Sequence, residues 1–256
     1  MISNPSTFSA LTPLRYLRAN QESAATSLQR LASGQRINSA SDDPAGLITS
    51  ENLRSVLAAL DAESRSLERT NYVAATADAA LSGISDQLIE AEALAVANAN
   101  SAGLSDAERE ANQMQIDSIV SSINRTVSSA SFNGQALLDG SMTLTAGSES
   151  LSIESVALAT PIGEGTEALS ALQNARAQVN TLRGEIGSFS RNTIATQLSS
   201  NAVATENVAT AESTIRDTDY AAEVAERVRS SLLSSTALWA VSMSSEPSAS
   251  ILSLLA

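Results

Sequence analysis

Cysteine, histidine and lysine are all absent from this chain, and its 256 residues include only three Phe, three Tyr and one Trp. Without cysteine there is no disulfide, no thiolate nucleophile and no sulfur-ligated zinc. Without histidine the chain lacks the side chain that most readily moves protons near neutral pH. All fifteen basic residues are arginine, so P-loop, Schiff-base and Ser–Lys chemistries lose their central residue. Asp42-Asp43, Asp217 with Asp219, and Glu90 with Glu92 are the nominal acid or metal-binding pairs. None accompanies a pocket-forming pattern, and helix caps or solvated faces account for them. No catalytic, cofactor or metal site is expected.

The net charge of −13 argues against nucleic acid or an anionic membrane surface as partner, because phosphate binding needs basic patches. No apolar run approaches the roughly 20 residues that span a bilayer, so membrane insertion is not expected. The opening MISNPSTFSALTPLRYL has no basic stretch ahead of an apolar one, and no cleavable secretory signal is expected.

What the chain does have is Ala, Leu, Ser, Asn, Gln and Glu, a composition suited to long helices packed through small side chains. A first helix is expected to start at Thr12-Pro13, with Leu14, Leu17, Leu28 and Leu31 on one side, and to stop near Gly34. A second starts at Asp43-Pro44. Leu53, Leu60, Leu67, Ala74, Leu81, Leu88 and Ala95 then recur every seven residues, with a looser row at Val56, Ala77, Ile84 and Ala91. That is a coiled-coil seam, about 65 Å long at 1.5 Å per residue. Ser105 and Glu108 form a capping box for a third helix, with Ile116, Val120, Ile123 and Val127 as its inner row. Asn133-Gly134 marks a turn, and 142–155 alternates about Gly147 as a β-hairpin. A fourth helix spans 166–215, with Leu172, Val179 and Ile186 in one row and Ala175, Leu182, Phe189 and Val203 in the other. A fifth spans 219–243, carrying Val224, Val228, Leu232 and Leu238 and ended by Pro247. The fold expected is mainly α: an elongated antiparallel coiled-coil and helical-bundle rod with a small β-hairpin insert and paired termini.

Four segments carry a resemblance. LQRLASGQRINSASDDPAGL (28–47), SFNGQALLDG (131–140), ENVATAESTIRDTDYAAEVAE (206–226) and SILSLLA (250–256) resemble, in order, the signature segments of bacterial flagellins. The resemblance covers nearly the whole chain and implies the subunit of the flagellar filament, exported unfolded by the flagellar type III apparatus and assembled at the distal tip. It implies an inner coiled-coil domain of residues 1–40 with 217–256, a rod domain of 41–140 with 165–216, and a hairpin insert at 141–164. Only about 25 residues separate Gly140 from Thr166, so this is a short form without variable outer domains. The implied partners are further copies of the chain, an export chaperone, the export apparatus, the filament cap and the hook–filament junction proteins.

Within that frame, Arg30, Arg36, Asp42 and Asp43 are candidate contacts at the elbow between layers, as ion pairs within or between subunits. Asp43 also suits a helix cap. Leu232, Leu233, Trp239, Leu252 and Leu255 are candidate assembly residues; Trp239 suits an intersubunit anchor or packing within the terminal pair. Leu53, Leu60, Leu67, Leu81, Leu88, Leu182 and Phe189 are the expected rod seam. The family's innate-immune receptor segment resembles 85–100, but Glu90 and Glu92 stand where stimulatory members carry arginine, though Leu94 matches. Weak or absent receptor activation is expected. Asn124-Arg125-Thr126 matches an N-glycosylation pattern and reads as chance. Two other readings stay open on the sequence: a hook–filament junction protein, and a free-standing coiled-coil scaffold or adhesin.

Overall fold

The computed structural model describes residues 5–100 and 103–245. Its helices are α1 (Pro5–Ser33), α2 (Pro44–Ala99), α3 (Asp106–Ser129), α4 (Thr166–Ser188), α5 (Ala195–Arg216) and α6 (Tyr220–Ser245). Between α3 and α4 lie two antiparallel hairpins, β1 (Ser131–Phe132) with β2 (Gln135–Ala136) and β3 (Thr143–Ala146) with β4 (Glu149–Ser152). The fold is mainly α with a small β insert. The chain divides into two compact units, Met1–Leu57 with Asn207–Ala256 and Ala58–Glu206; the divisions fall inside α2 and α5.

The larger unit holds the main apolar core. Leu67, Ala74, Leu81, Leu88 and Ala95 of the seven-residue row are buried, as are Ala77, Ile84 and Ala91 of the second row. Leu53 and Leu60 are half-buried and Val56 is exposed, so the row packs fully only from Leu67 onward. A polar ladder sets α2 antiparallel to the returning helices. Glu92 pairs with Arg176 at 2.9 Å, Asp78 with Arg183 at 2.8 Å, and Asn71 accepts from Ser190 at 2.6 Å. The α3 capping box forms as expected, with Ser105 Oγ accepting from the Glu108 amide and Glu108 Oε2 accepting from the Ser105 amide. Its four inner-row residues are all buried. The Asn133-Gly134 turn joins β1 to β2 with both residues at positive φ, the geometry that asparagine and glycine tolerate. In the second hairpin Leu144 faces Leu151, and Leu144, Ala146 and Ile153 reach the core. The side-chain amide of Asn124 donates to the Leu158 carbonyl and accepts from its amide, so the residue of the glycosylation pattern is a clamp on the loop.

Two expectations need correction. The fourth helix is interrupted by a π-helical turn at Phe189–Ile194. One extra residue enters the winding there, and buried positions step from Phe189 to Ile194 and then to Asn201. Val203, expected on the Phe189 row, is therefore rotated out and 57% exposed. The first helix does not begin at Pro13 but runs through it. An internal proline removes one ladder hydrogen bond, a cost of about 3 kcal/mol, yet α1 continues through it. Pro247, Leu252 and Leu255 lie outside the described residues.

Candidate assembly surface at the paired termini

In the smaller unit α1 and α6 pack against each other and run antiparallel, with Ser23 opposite Ser230 and Arg30 opposite Glu223. Small residues line the contact: Ser27, Ser230 and Ala237 are buried in the seam, and Ser23 and Ala24 are half-buried. The Ser230 hydroxyl meets that of Ser23 at 3.3 Å, and Arg30 lies 3.7 Å from Glu223.

The large apolar side chains are elsewhere. Val224, Val228, Leu232, Trp239 and Met243 are all exposed, Trp239 by 75%. At 100° per residue these five form one stripe, roughly opposite the seam positions Glu223, Ser230 and Ala237. Leu233 and Leu238 are exposed on its flanks, and Leu14 and Leu28 are exposed on α1. The α6 row of Val224, Val228, Leu232 and Leu238 is exposed rather than packed against α1. Contiguous exposed apolar residues of this kind are a feature that interaction surfaces share.

The connectors at the root of the pair are tightly bonded. Gln35 pairs with Asp217 as a single antiparallel β-bridge. The Arg36 amide donates to the Arg216 carbonyl at 2.7 Å and the Thr218 amide to the Gly34 carbonyl at 3.0 Å. The Arg36 guanidinium donates to the Ile215 carbonyl at 2.6 Å. Gly34 has φ +73°, with the Tyr220 hydroxyl 3.1 Å from where a Cβ would stand. Ile37 is buried, and a Cβ on Gly46 would come within 2.7 Å of its Cδ1. Arg216 reaches Glu51 at 2.7 Å, joining the end of α5 to the start of α2.

The two aspartates act on the backbone rather than on the arginines. Asp43 Oδ1 accepts from the Gly46 amide at 2.9 Å, capping α2 ahead of Pro44. Asp42 Oδ2 accepts from the amides of Asn38 and Ser39 at 3.0 and 2.8 Å and from the Ser39 hydroxyl. Those donors, the Ser39 amide foremost, hold the Asp42 carboxyl below its usual range. The carboxyl of Glu51 is also lowered, first by Arg216 and then by Arg54. Within the chain, then, neither Asp42 nor Asp43 forms an ion pair with Arg30 or Arg36. Asp219 caps α6 in the same way as Asp43 caps α2, accepting from the Ala221 and Ala222 amides.

In the larger unit, Leu182 and Phe189 are buried with Leu67, Leu81 and Leu88. Glu90 is exposed and Leu94 half-buried, whereas Glu92 is occupied by Arg176 and Gln173. Sequence reasoning missed Arg216, Glu51 and the Gln35–Asp217 bridge. Neither partner stands in a periodic row, and their separation along the chain hides the pairing. Among the described residues no group of acids could hold a metal ion, and no helix is long and apolar enough to cross a membrane.

Comparison with known proteins shows the family. The bacterial flagellin N-terminal helical region matches residues 6–143, and the bacterial flagellin C-terminal helical region matches residues 169–255. Only residues 144–168 lie between the two, leaving no room for a variable outer domain. The flagellar filament 30.7 kDa core protein of Treponema maltophilum is 26% identical over 94% of this chain and 95% of its own. The 33 kDa core protein of Treponema phagedenis is 27% identical over 96% and 97%. Flagellin B of Vibrio anguillarum is 36% identical over 52% of this chain and 35% of its own. Neither the junction-protein nor the scaffold reading is favoured by these likenesses. The chain, with its apolar terminal faces turned outward, belongs to the bacterial flagellin family, as a short form and a structural subunit of the flagellar filament.

Proposed function

We propose that the paired termini, residues 1–40 with 217–256, are the assembly core, and that 41–140 with 165–216 forms a rod carrying the 141–164 hairpin. The observation that carries this reading is the α6 stripe of Val224, Val228, Leu232, Trp239 and Met243, exposed and directed away from α1. Neighbouring copies cover it through head-to-tail contacts, which propagate into a helix instead of closing into a ring. Leu233 flanks the same stripe, the sequence offers Leu252 and Leu255 as further assembly residues, and Arg30, Arg36, Asp42 and Asp43 belong to the elbow. The role is mechanical, with no catalysis. Delivery follows the family: export unfolded through the flagellar type III apparatus with a chaperone on the apolar C-terminal segment, then assembly beneath the filament cap onto the junction proteins. The working location is the extracellular filament.

Purified chain added to sheared filament seeds tests this. Wild-type protein is expected to elongate them, and Leu232→Ser to slow elongation at unchanged monomer helicity. Equal rates would sink the stripe's role, and closed oligomers that ignore the seeds would sink the filament-core reading. Receptor activation is expected to be weak, supported by the acidic Glu90 on the α2 surface and by Glu92 being held by Arg176. A reporter cell responding to nanomolar monomer would contradict it.

A further inference from the structure

The α1/α6 seam holds the two helices close but says little about where along each other they stop. Coiled-coil register comes from large knobs seated in holes, or from a polar pair at a defined position. Here the buried seam positions are serine and alanine, and its cross-links are one hydroxyl contact at 3.3 Å and one ion pair at 3.7 Å. Arg30 Nε and Glu223 Oε1 are buried there without hydrogen-bond partners, so this pair is not tightly matched. A slip of the helices would lose little within the seam itself.

The root of the pair is different. Within a few residues it carries the Gln35–Asp217 bridge, two backbone hydrogen bonds of 2.7 and 3.0 Å, and the Arg36 bond to the Ile215 carbonyl. It is tied to α2 through Arg216 and Glu51, with the Arg216 side chain only 13% exposed. The exposed apolar residues that a neighbouring copy would meet are shared between helices: Leu14 and Leu28 on α1, and the stripe on α6. Sliding α6 by seven residues keeps the same face in the seam but moves its stripe by about 10 Å along α1. A composite surface on two smooth helices is defined only if something else fixes their register.

We infer that this connector root is a register lock for assembly, with Arg216 and Glu51 as its positioning residues. The inference rests on the filament-core reading of the termini. It adds that the lock, not the seam, makes the α1 and α6 apolar faces one surface. Arg216 holds the end of α5 against α2, so the carbonyls of Ile215 and Arg216 stay where Arg36 can use them.

Seeded elongation of the full chain tests it, with monomer helicity matched by circular dichroism. Arg216→Gln is expected to slow elongation about tenfold, the scale of one lost charge-assisted hydrogen bond. Glu51→Gln, at a half-exposed position where folding is not at stake, is expected to do the same, and the double variant to be no slower than either. The chain has no cysteine, so Ser23→Cys with Ser230→Cys provides a unique disulfide across the seam. Added to Arg216→Gln, it is expected to restore the wild-type rate when oxidised and not when reduced. Wild-type rates in both single variants, additive slowing in the double variant, or no recovery on oxidation would overturn the lock while leaving the filament reading intact. Failure of wild-type protein to elongate seeds would overturn both.

Discussion

Single residues at the connector convert sequence into geometry by binding backbone amides. Asp43 was legible as a cap because an acid ahead of proline at the start of an apolar row has few other uses, and it binds the Gly46 amide. Asp42 was legible only as a charge, and its role as acceptor for Asn38 and Ser39 depends on a turn no spacing announces. Its carboxyl, like that of Glu51, titrates below the ordinary range. A depressed folded-state value means the stabilisation is complete above the ordinary carboxylate range near pH 4 and fades as pH falls through the lower folded value. Amide exchange at Asn38 and Ser39, corrected for intrinsic rates, is therefore expected to stay slow from pH 7 to about 4 and to accelerate below that. Asp42→Asn is expected to give fast exchange already at pH 7. Equal exchange in wild type and Asp42→Asn at pH 7 would contradict the assignment.

At the level of elements, helix existence and most ends could be read directly, because seven-residue rows and caps are local signals. The α3 capping box and its four buried residues, the hairpin about Gly147 and the start of α6 all appear where spacing puts them. Two features were not legible. The face α6 shows to α1 is chosen by small residues, which carry no apolar signal in the sequence. The π turn adds one residue to a helix whose pattern reads as continuous, so Val203 was assigned to the wrong face. Deleting the exposed Asn192 within that turn is expected to regularise the helix and keep Leu198 and Asn201 inward, changing thermal unfolding of the larger unit by only a few degrees. Deleting Gln178 from regular α4 would shift Val179, Leu182 and Ile186 out of register, exposing three side chains worth about 1.5–3 kcal/mol each. Equal loss in the two deletions, measured by thermal melts, would contradict the extra-residue account.

Across the whole molecule, charge is unevenly divided. The larger unit carries seven of the fifteen arginines and eighteen of the twenty-eight acids, a net −11; the smaller unit carries eight and ten, a net −2. Four of those seven arginines are already paired, Arg65, Arg109, Arg176 and Arg183, while Glu68, Asp86, Glu90 and Glu110 stand exposed. In a homopolymer, like charge on the larger units opposes their approach, while the nearly neutral smaller units add little repulsion. Screening shortens that repulsion to about 10 Å at 0.1 M salt, so the critical concentration for elongation is expected to fall as salt rises. Neutralising those four acids should flatten the dependence; an unchanged slope would show that their charges do not face neighbouring copies. The claim beneath all of this is that α6 buries its outward stripe against other copies. Trp239 is the chain's single tryptophan and is 75% exposed in the isolated chain, so its fluorescence reads that burial directly. Acrylamide is expected to quench it readily in the monomer and poorly in the seeded filament, with emission shifting to the blue. Equal quenching in monomer and filament would contradict the account.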